Sequence, residues 1–564
     1  MAKKCKESDL QNLPVCAADF IKLVIKKMHY RKKVRAEVMA ELTAHFEDEL
    51  RGCATDEEKE RRARQLIEDF GDAKLLGTLL RRAKKRCRPL WRTIVARTFQ
   101  TVGILILCFI SYCVYISLGR PTISVNYVEE ATRLARPVAD ESLNAAPLYQ
   151  KAFDAYKEPP LVEDETGTEI RLDAIKKDWP TELTGEELPL MKQWLSDNTD
   201  AIEFFKQASE KPYCWWKRKA RDNLVMVVLM PELTSMKNFV RVMVWQAKMK
   251  AYDGHIEEAF DDLLACYRAE RHFRGQRSLI EQLVGMGIQA VSTKNILVIL
   301  DNQQADSQSL KNLQTQLEEL MEEDVYTINY EVERFFALDF IQRCYTNNGR
   351  GSGHMIPGQI KILDSDFIDI GIGRVGYQDS AFNKYSKYLA MALFSASRRE
   401  MNREFEKFYK TIEKVPAKTP WQLRKECFDF EMGLDNWSTL KQARYWPVPL
   451  LVPTIKTVSE VAYRVKMQTE VVITTLAVIR FKQITGNYPD NLEGLVAAGY
   501  LKKIPLDPFS DKPLVYKKTA DNFTLYSVGF NFKDDGGQTY RNEKGKPKLW
   551  HDELGDAVFW PVQK

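Results

Sequence analysis

The sequence predicts a mainly α protein that crosses a membrane once and ends in an α+β domain. Three observations carry this. Thr98–Leu118 is an uncharged apolar run, and amphipathic helical spacing fills most of the remainder. After Ile455 the pattern changes to a long helix, Pro-rich loops and short strands. At 564 residues the chain exceeds what one core holds, so several domains are expected. Hydrophobic residues at 45% and charged residues at 29% exclude wholesale disorder.

After a tail at 1–18, residues 19–87 read as three short helices, within a cytosolic domain set at 19–90. Val38, Met39, Leu42, Phe46 and Leu50 recur at helical spacing, and Gly52 ends that helix. Thr55-Asp-Glu-Glu58 is a capping box for the next, which buries Leu66, Ile67 and Phe70. Gly71 stops it, and Asp72 caps a third helix with Leu75, Leu76, Leu79 and Leu80 inward. The run from Arg35 through Ala36-Glu-Val-Met-Ala-Glu-Leu-Thr-Ala-His45-Phe-Glu-Asp48, followed by Asp69-Phe-Gly-Asp72, resembles the HAAS family of small helical domains. The resemblance implies a helical prefix of a bacterial membrane protein, in some members linked to regulation. His45 reads as an exposed helix-face residue and takes no role.

The span Thr98–Leu118 covers roughly 30 Å as a helix, the thickness of the hydrocarbon core. Arg81, Arg82, Lys84, Lys85, Arg86, Arg88, Arg92 and Arg97 precede it, whereas Arg120 follows and then Glu129 and Glu130. The positive-inside rule puts the N-terminus in the cytoplasm and the C-terminus outside the inner (cytoplasmic) membrane. A signal peptide fits poorly, because the apolar run starts far from the N-terminus and no small-residue cleavage site follows. Residues 1–97 hold 24 Lys+Arg against 15 Asp+Glu, so the rest of a chain of net charge +5 is slightly acidic. Basic charge beside a membrane serves topology and anionic lipid, and no nucleic-acid motif accompanies it. Of the ten cysteines, Cys5, Cys16, Cys53 and Cys87 fall on the reducing side, and Cys108 and Cys113 in the span. Cys214, Cys266, Cys344 and Cys427 are exported, as one of three pairings or as free thiols.

Residues 125–450 read as an exported helical domain. Ala247, Ala251, Gly254, Ala259 and Cys266 have the small-residue spacing of a helix–turn–helix pair, with Gly254 in the turn. The unit resembles one tetratricopeptide-type repeat. A bundle and a repeat stack both remain open, since no second copy recurs at a period of about 34 residues. Leu279–Ala290 reads as a buried helix. Gly371-Ile-Gly373-Arg-Val-Gly376 matches the dinucleotide fingerprint, and Phe367–Ile370 before it reads as a strand, but no apolar helix begins at the glycines. Gly349–Gly353 reads as a loop whose Ser352 lacks a nucleophile frame. His255, His272, His354 and His551 are scattered, which argues against a metallohydrolase. Acidic neighbours such as Asp261/Asp262 and Glu331/Glu333 do not face one another on a helix, and Trp215-Trp216 reads as partly buried. No catalytic or cofactor-binding residue is therefore assigned.

From Ile455 a long helix runs to Thr485-Gly486-Asn487, and strands are expected around Leu514–Tyr516 and Phe523–Ser527. Gly486-Asn-Tyr-Pro489, Leu501-Lys-Lys-Ile-Pro-Leu-Asp-Pro508, Leu525-Tyr-Ser-Val-Gly529 and Gly555-Asp-Ala557 follow in that order. This series resembles the C-terminal domain of the major pseudopilins of type II secretion. The resemblance covers 455–564 and implies one Ca²⁺ ion in the loop after the Leu525–Gly529 strand. Its ligands would be Leu525 through its carbonyl, Ser527, Asn531, Asp534, Asp535 and Asp556, with Asp552 a spare acid. Hard oxygen donors on a Gly-rich loop suit that ion. Asn531 stands where the family has aspartate, and Gln538–Trp550 lengthens the loop. The family's cleavable leader and its glutamate at the start of the apolar helix are missing from Thr98–Leu118.

The expected function is a membrane-anchored extracytoplasmic interaction or scaffold protein. It would have protein partners on both sides of the membrane, a secretion or envelope association, and no nucleic acid. The alternatives are an extracytoplasmic enzyme with a site near residues 346–380 and a transmembrane signalling protein acting through the 19–90 domain.

Overall fold

A computed structural model describes residues 7–86, 90–137, 140–163, 167–175, 177–225, 228–275, 277–322, 328–364, 381–415, 418–428, 434, 436–451, 455–551 and 554–563. The glycine fingerprint at 371–376, the strand expected before it, Cys5, Cys87 and Asp552 lie outside these residues. The chain divides into two compact units, Met1–Tyr112 and Cys113–Lys564.

In the first unit the three expected helices form as α2 (Lys32–Leu50), α3 (Asp56–Phe70) and α4 (Ala73–Arg86), and a further helix, α1 (Val15–Lys27), precedes them. Ala17, Ile21, Val24 and Met28 recur on one face of α1 and its end, and all are fully enclosed. The Thr55/Glu58 capping box is complete, and Asp72 accepts from the Lys74 amide at 2.7 Å. One expectation needs correcting. Leu75 and Leu79 are 60% and 50% exposed, and the inward stripe of α4 is Ala73, Leu76, Gly77 and Leu80. Gly77 sets this register, because a Cβ there would stand 2.9 Å from the Val24 carbonyl oxygen.

Helix α5 (Leu90–Ser117) covers the predicted span except its last residue, Leu118. Two helices are long and apolar enough to cross a membrane, Ile94–Ser117 and Leu279–Asn302. They differ in cover. Only 6% of the first window is buried, against 61% of the second. By length and composition alone both helices pass the same test, and the core helix of a soluble protein passes it too.

The second unit has two hydrophobic cores. Around the first pack α7 (Ala146–Ala155), α8 (Glu187–Asp197), α9 (Thr199–Ser209), α10 (Pro231–Tyr252), α11 (Ile256–Arg274), α12 (Leu279–Asn302) and α13 (Ser307–Glu322), whereas α6 (Tyr127–Ala135) sets Val128 in a small separate cluster with Val225 and Val228. Helices α10 and α11 form the expected hairpin around Gly254, whose φ of 93° needs a residue without Cβ. Ala247, Ala251, Ala259 and Cys266 are fully buried between the helices. The predicted buried helix at 279–290 forms and continues to Asn302 as α12. The second core joins α14 (Glu331–Cys344), α15 (Ala381–Phe394) and α16 (Arg398–Ile412) to the first turns of α12.

The C-terminal helix α17 (Ile455–Thr485) runs through both cores. Val458, Ala462 and Val465 enter the second core, and Met467, Val471, Leu476 and Val478 the first. Beyond it an antiparallel sheet has β1 (Val515–Lys518) and β3 (Ala557–Trp560) flanking β2 (Phe523–Ser527). Every residue of β3 is buried, so it closes the sheet from the far side of the long loop. A register shift at Leu525/Tyr526 bends the β2–β3 ladder beside that loop.

Candidate functional site

The loop between β2 and β3 brings together Asn531, Asp534, Asp535 and Asp556. Gly536 and Gly537 have φ of 81° and 90°, so the chain turns back on itself and presents amide groups to its own carboxylates. Asp556 takes the Asp535 amide at 3.1 Å and the Gly537 amide at 2.6 Å. Asp535 takes Asn531 Nδ2 at 2.6 Å and the Gly555 amide at 3.1 Å. Asp534 takes the Tyr526 hydroxyl at 2.8 Å and the Gly536 amide at 2.9 Å. Burial raises the Asp556 pKa, and the neighbouring charges of Asp534 and Asp535 add to the rise. A cation here would relieve that repulsion.

The other two predicted ligands lie differently. Leu525 is fully buried in the middle strand, opposite Tyr516 and Trp560. The Ser527 hydroxyl donates to Asp507 at 2.8 Å and accepts the Gly529 amide at 3.1 Å, so its oxygen is already engaged. Asp507 also takes the amides of Phe509 and Val528, and burial raises its pKa. It pins the Pro-rich loop to the end of β2. Among the described residues no three of His, Cys, Asp and Glu are grouped to hold a metal. Asp534, Asp535 and Asp556 are thus held by the loop's own amides, Asn531 and the Tyr526 hydroxyl rather than grouped around one point, and the Ser527 hydroxyl is turned to Asp507.

Sequence reasoning missed a second feature. The C-terminal ends of α6, α9 and α11 surround a cavity of about 670 Å³. Arg136, Lys211, Arg268, Arg271 and Arg277 line it, and Glu210 is the one acid among the described lining residues. These cations lie on four separate segments, which is why no local charge run marked them. His272 also lines the cavity, between the Tyr149 hydroxyl at 2.9 Å and the Lys211 carbonyl at 2.8 Å, and burial lowers its pKa to about 4. It is a neutral structural imidazole at neutral pH.

The strongly perturbed acid of the unit lies elsewhere. Burial raises the Glu333 pKa to about 8; one of its oxygens takes the Leu279 amide at 2.6 Å and the other has no hydrogen-bond partner. Near it, Glu281 pairs with the buried Arg218 at 2.7 Å. These groups join α12 to α14 and are sealed from solvent. Cys214, Cys266 and Cys344 are buried, and Cys427 is exposed. Comparisons with known protein families, curated proteins and solved structures find no match to this chain.

Proposed function

We propose that the protein is a membrane-anchored extracytoplasmic interaction protein. The observation that carries this reading is the cavity at the ends of α6, α9 and α11. Among the described residues it gathers five cations and one carboxylate, its histidine is held neutral, and the perturbed Glu333 is not part of its lining. Such a lining suits holding a ligand better than making or breaking bonds. Anchoring through α5 is supported by its uncovered apolar surface and by the arginines and lysines that precede it. The long helix followed by a small antiparallel sheet supports a pseudopilin-like module, with Asp534, Asp535 and Asp556 as the residues that would hold Ca²⁺. Secretion or envelope partners outside, and a regulatory partner for the cytosolic helices, belong to the same proposal.

Two measurements test it. In right-side-out membrane vesicles a membrane-impermeant maleimide should label Cys427 and spare Cys53, and the reverse pattern overturns the orientation. A photo-crosslinking residue placed at Tyr213, on the cavity wall, should give discrete adducts in cells. A chain that yields none is not an interaction protein of this kind.

A further inference from the structure

The loop between β2 and β3 does more than turn the chain. Its inserted stretch, Gln538–Trp550, folds as a small hairpin: the Lys548 amide donates to the Tyr540 carbonyl and the Asn542 amide to the Lys546 carbonyl, both at 2.9 Å. Trp550 fastens its base to the core, with ring centroids 5.5 Å from Phe530, 5.7 Å from Phe509 and 5.9 Å from Phe559. The hairpin, α12, α17 and β3 together line a cavity of about 530 Å³. That size falls within the roughly 300–1,000 Å³ of small-ligand sites.

Leu297, Leu549, Val558, Phe559 and Val562 give the cavity an apolar wall. Gln468 of α17 and Thr539 at the foot of the hairpin also line it. Gln468 Oε1 and Thr539 Oγ1 are buried with no hydrogen-bond partner among the described residues. Buried polar atoms in a fold nearly always have partners, so two orphans on the lining of one cavity call for a ligand. The other neutral polar side chains there are engaged. The Thr293 hydroxyl donates to the Gln289 carbonyl at 2.9 Å, and the Gln563 amide to the Pro561 carbonyl at 3.0 Å. Asp178, Lys294, Lys544 and Lys546 line it too, but all are exposed, which leaves the interior to the apolar side chains and the two orphans.

The orphans are complementary. Gln468 Oε1 only accepts, whereas the Thr539 hydroxyl also donates. A peptide backbone supplies both partners, N–H and C=O, flanked by side chains that an apolar wall can take. Water satisfies either atom but gains nothing from that wall. We propose that this cavity binds a short apolar peptide segment, its N–H donated to Gln468 and its C=O taken by Thr539. The proposal names a partner class for the interaction reading and rests on that reading.

The test uses the full chain in phosphatidylcholine nanodiscs, with empty nanodiscs as control. A pool of acetylated, amidated tripeptides built from alanine, valine, leucine and phenylalanine is offered, and the retained members are read by mass spectrometry. Retention above the empty discs is expected. Gln468→Leu should weaken it by about tenfold, with the unfolding midpoint unchanged or raised, because the substitution removes an orphaned polar atom. Thr539→Val, in the loop, should do the same and serves should Gln468→Leu fail to fold. N-methylation of the retained peptides deletes their N–H donors and should abolish binding. Retention no higher than on empty discs overturns the proposal, as does unchanged retention in a folded variant or equal binding of the N-methylated peptides. Adducts at Tyr213 in cells with no peptide retained would sink this inference alone and leave the interaction reading standing.

Discussion

Glu333 gives the sharpest stability prediction, because its environment is closed and its partners are few. Its carboxyl accepts the Leu279 amide through one oxygen, and its second oxygen is buried without a partner. Glu281, Arg218, Tyr330 and Tyr409 are the titratable and charged groups that act on it or feel it. Burial lifts its pKa from 4.5 to about 8, so the folded chain keeps a proton where the unfolded chain has released it. Stability from this site is therefore full below pH 4.5 and is lost as pH rises through about 8. From pH 6.5 to 8 the loss comes to about 1.5 kcal/mol, taking about 1.4 kcal/mol per pKa unit.

Glu333→Gln removes the titration and keeps an acceptor for the Leu279 amide. For a unit of this size, the wild-type unfolding midpoint should fall by about 2 °C across that window relative to the variant. Tryptophan fluorescence of the detergent-solubilised full chain, heated at both pH values, reads the difference. Parallel behaviour of the two proteins would refute the reasoning, since Glu333 would then be ionised in the fold.

His272 should act on the acid side. With its pKa lowered to about 4 from 6.5, the fold loses up to about 3 kcal/mol as pH falls between those values, and His272→Gln should remove that slope in the same thermal assay. Two glycines of α12 should respond in opposite directions. A Cβ at Gly285 meets the Glu270 carbonyl at 2.9 Å, so Gly285→Ala should cost about 1–3 kcal/mol, whereas Gly287 has open space and Gly287→Ala should gain up to about 1 kcal/mol, both measured by denaturant unfolding. Millimolar calcium should raise the midpoint of the full chain over that in EGTA, and Asp556→Asn should abolish the rise; equal midpoints with and without calcium remove the calcium reading.

Local signals were legible, and signals assembled from distant segments were not. The Thr55/Glu58 capping box, the Gly254 turn and the apolar period of α17 each lie within a few residues, and each formed as expected. The orientation of α4 was misread because four leucines masked the stripe that Gly77 selects by its close approach to α1. Strand β3 escaped notice because it lies after a long loop and pairs with β2 from the other side. Asp507 sat inside a quoted motif, yet its burial and its bonds to Ser527 and Val528 depend on the fold. The basic cavity draws on residues from 136 to 277, and only packing brings them together.

The two cores also constrain how the C-terminal segment can work. A buried polar group links it to the helical stack: Gln289 of α12 donates to the Tyr267 hydroxyl of α11 at 2.7 Å and to the Thr469 hydroxyl of α17 at 3.1 Å. Further along, the buried Gln314 of α13 donates to the Tyr500 carbonyl, and Arg480 returns a bond to Gln314 at 2.7 Å. Cutting the chain before Ile455 would expose Val471, Leu476 and Val478, all fully buried in the intact unit, and strand Gln289 without Thr469. Each such side chain forfeits about 1.5–3 kcal/mol of burial, and a buried amide without its partner costs about 1–3 kcal/mol more. These losses together rival the whole stability of a domain. Residues 455–564 therefore do not behave as a detachable tip.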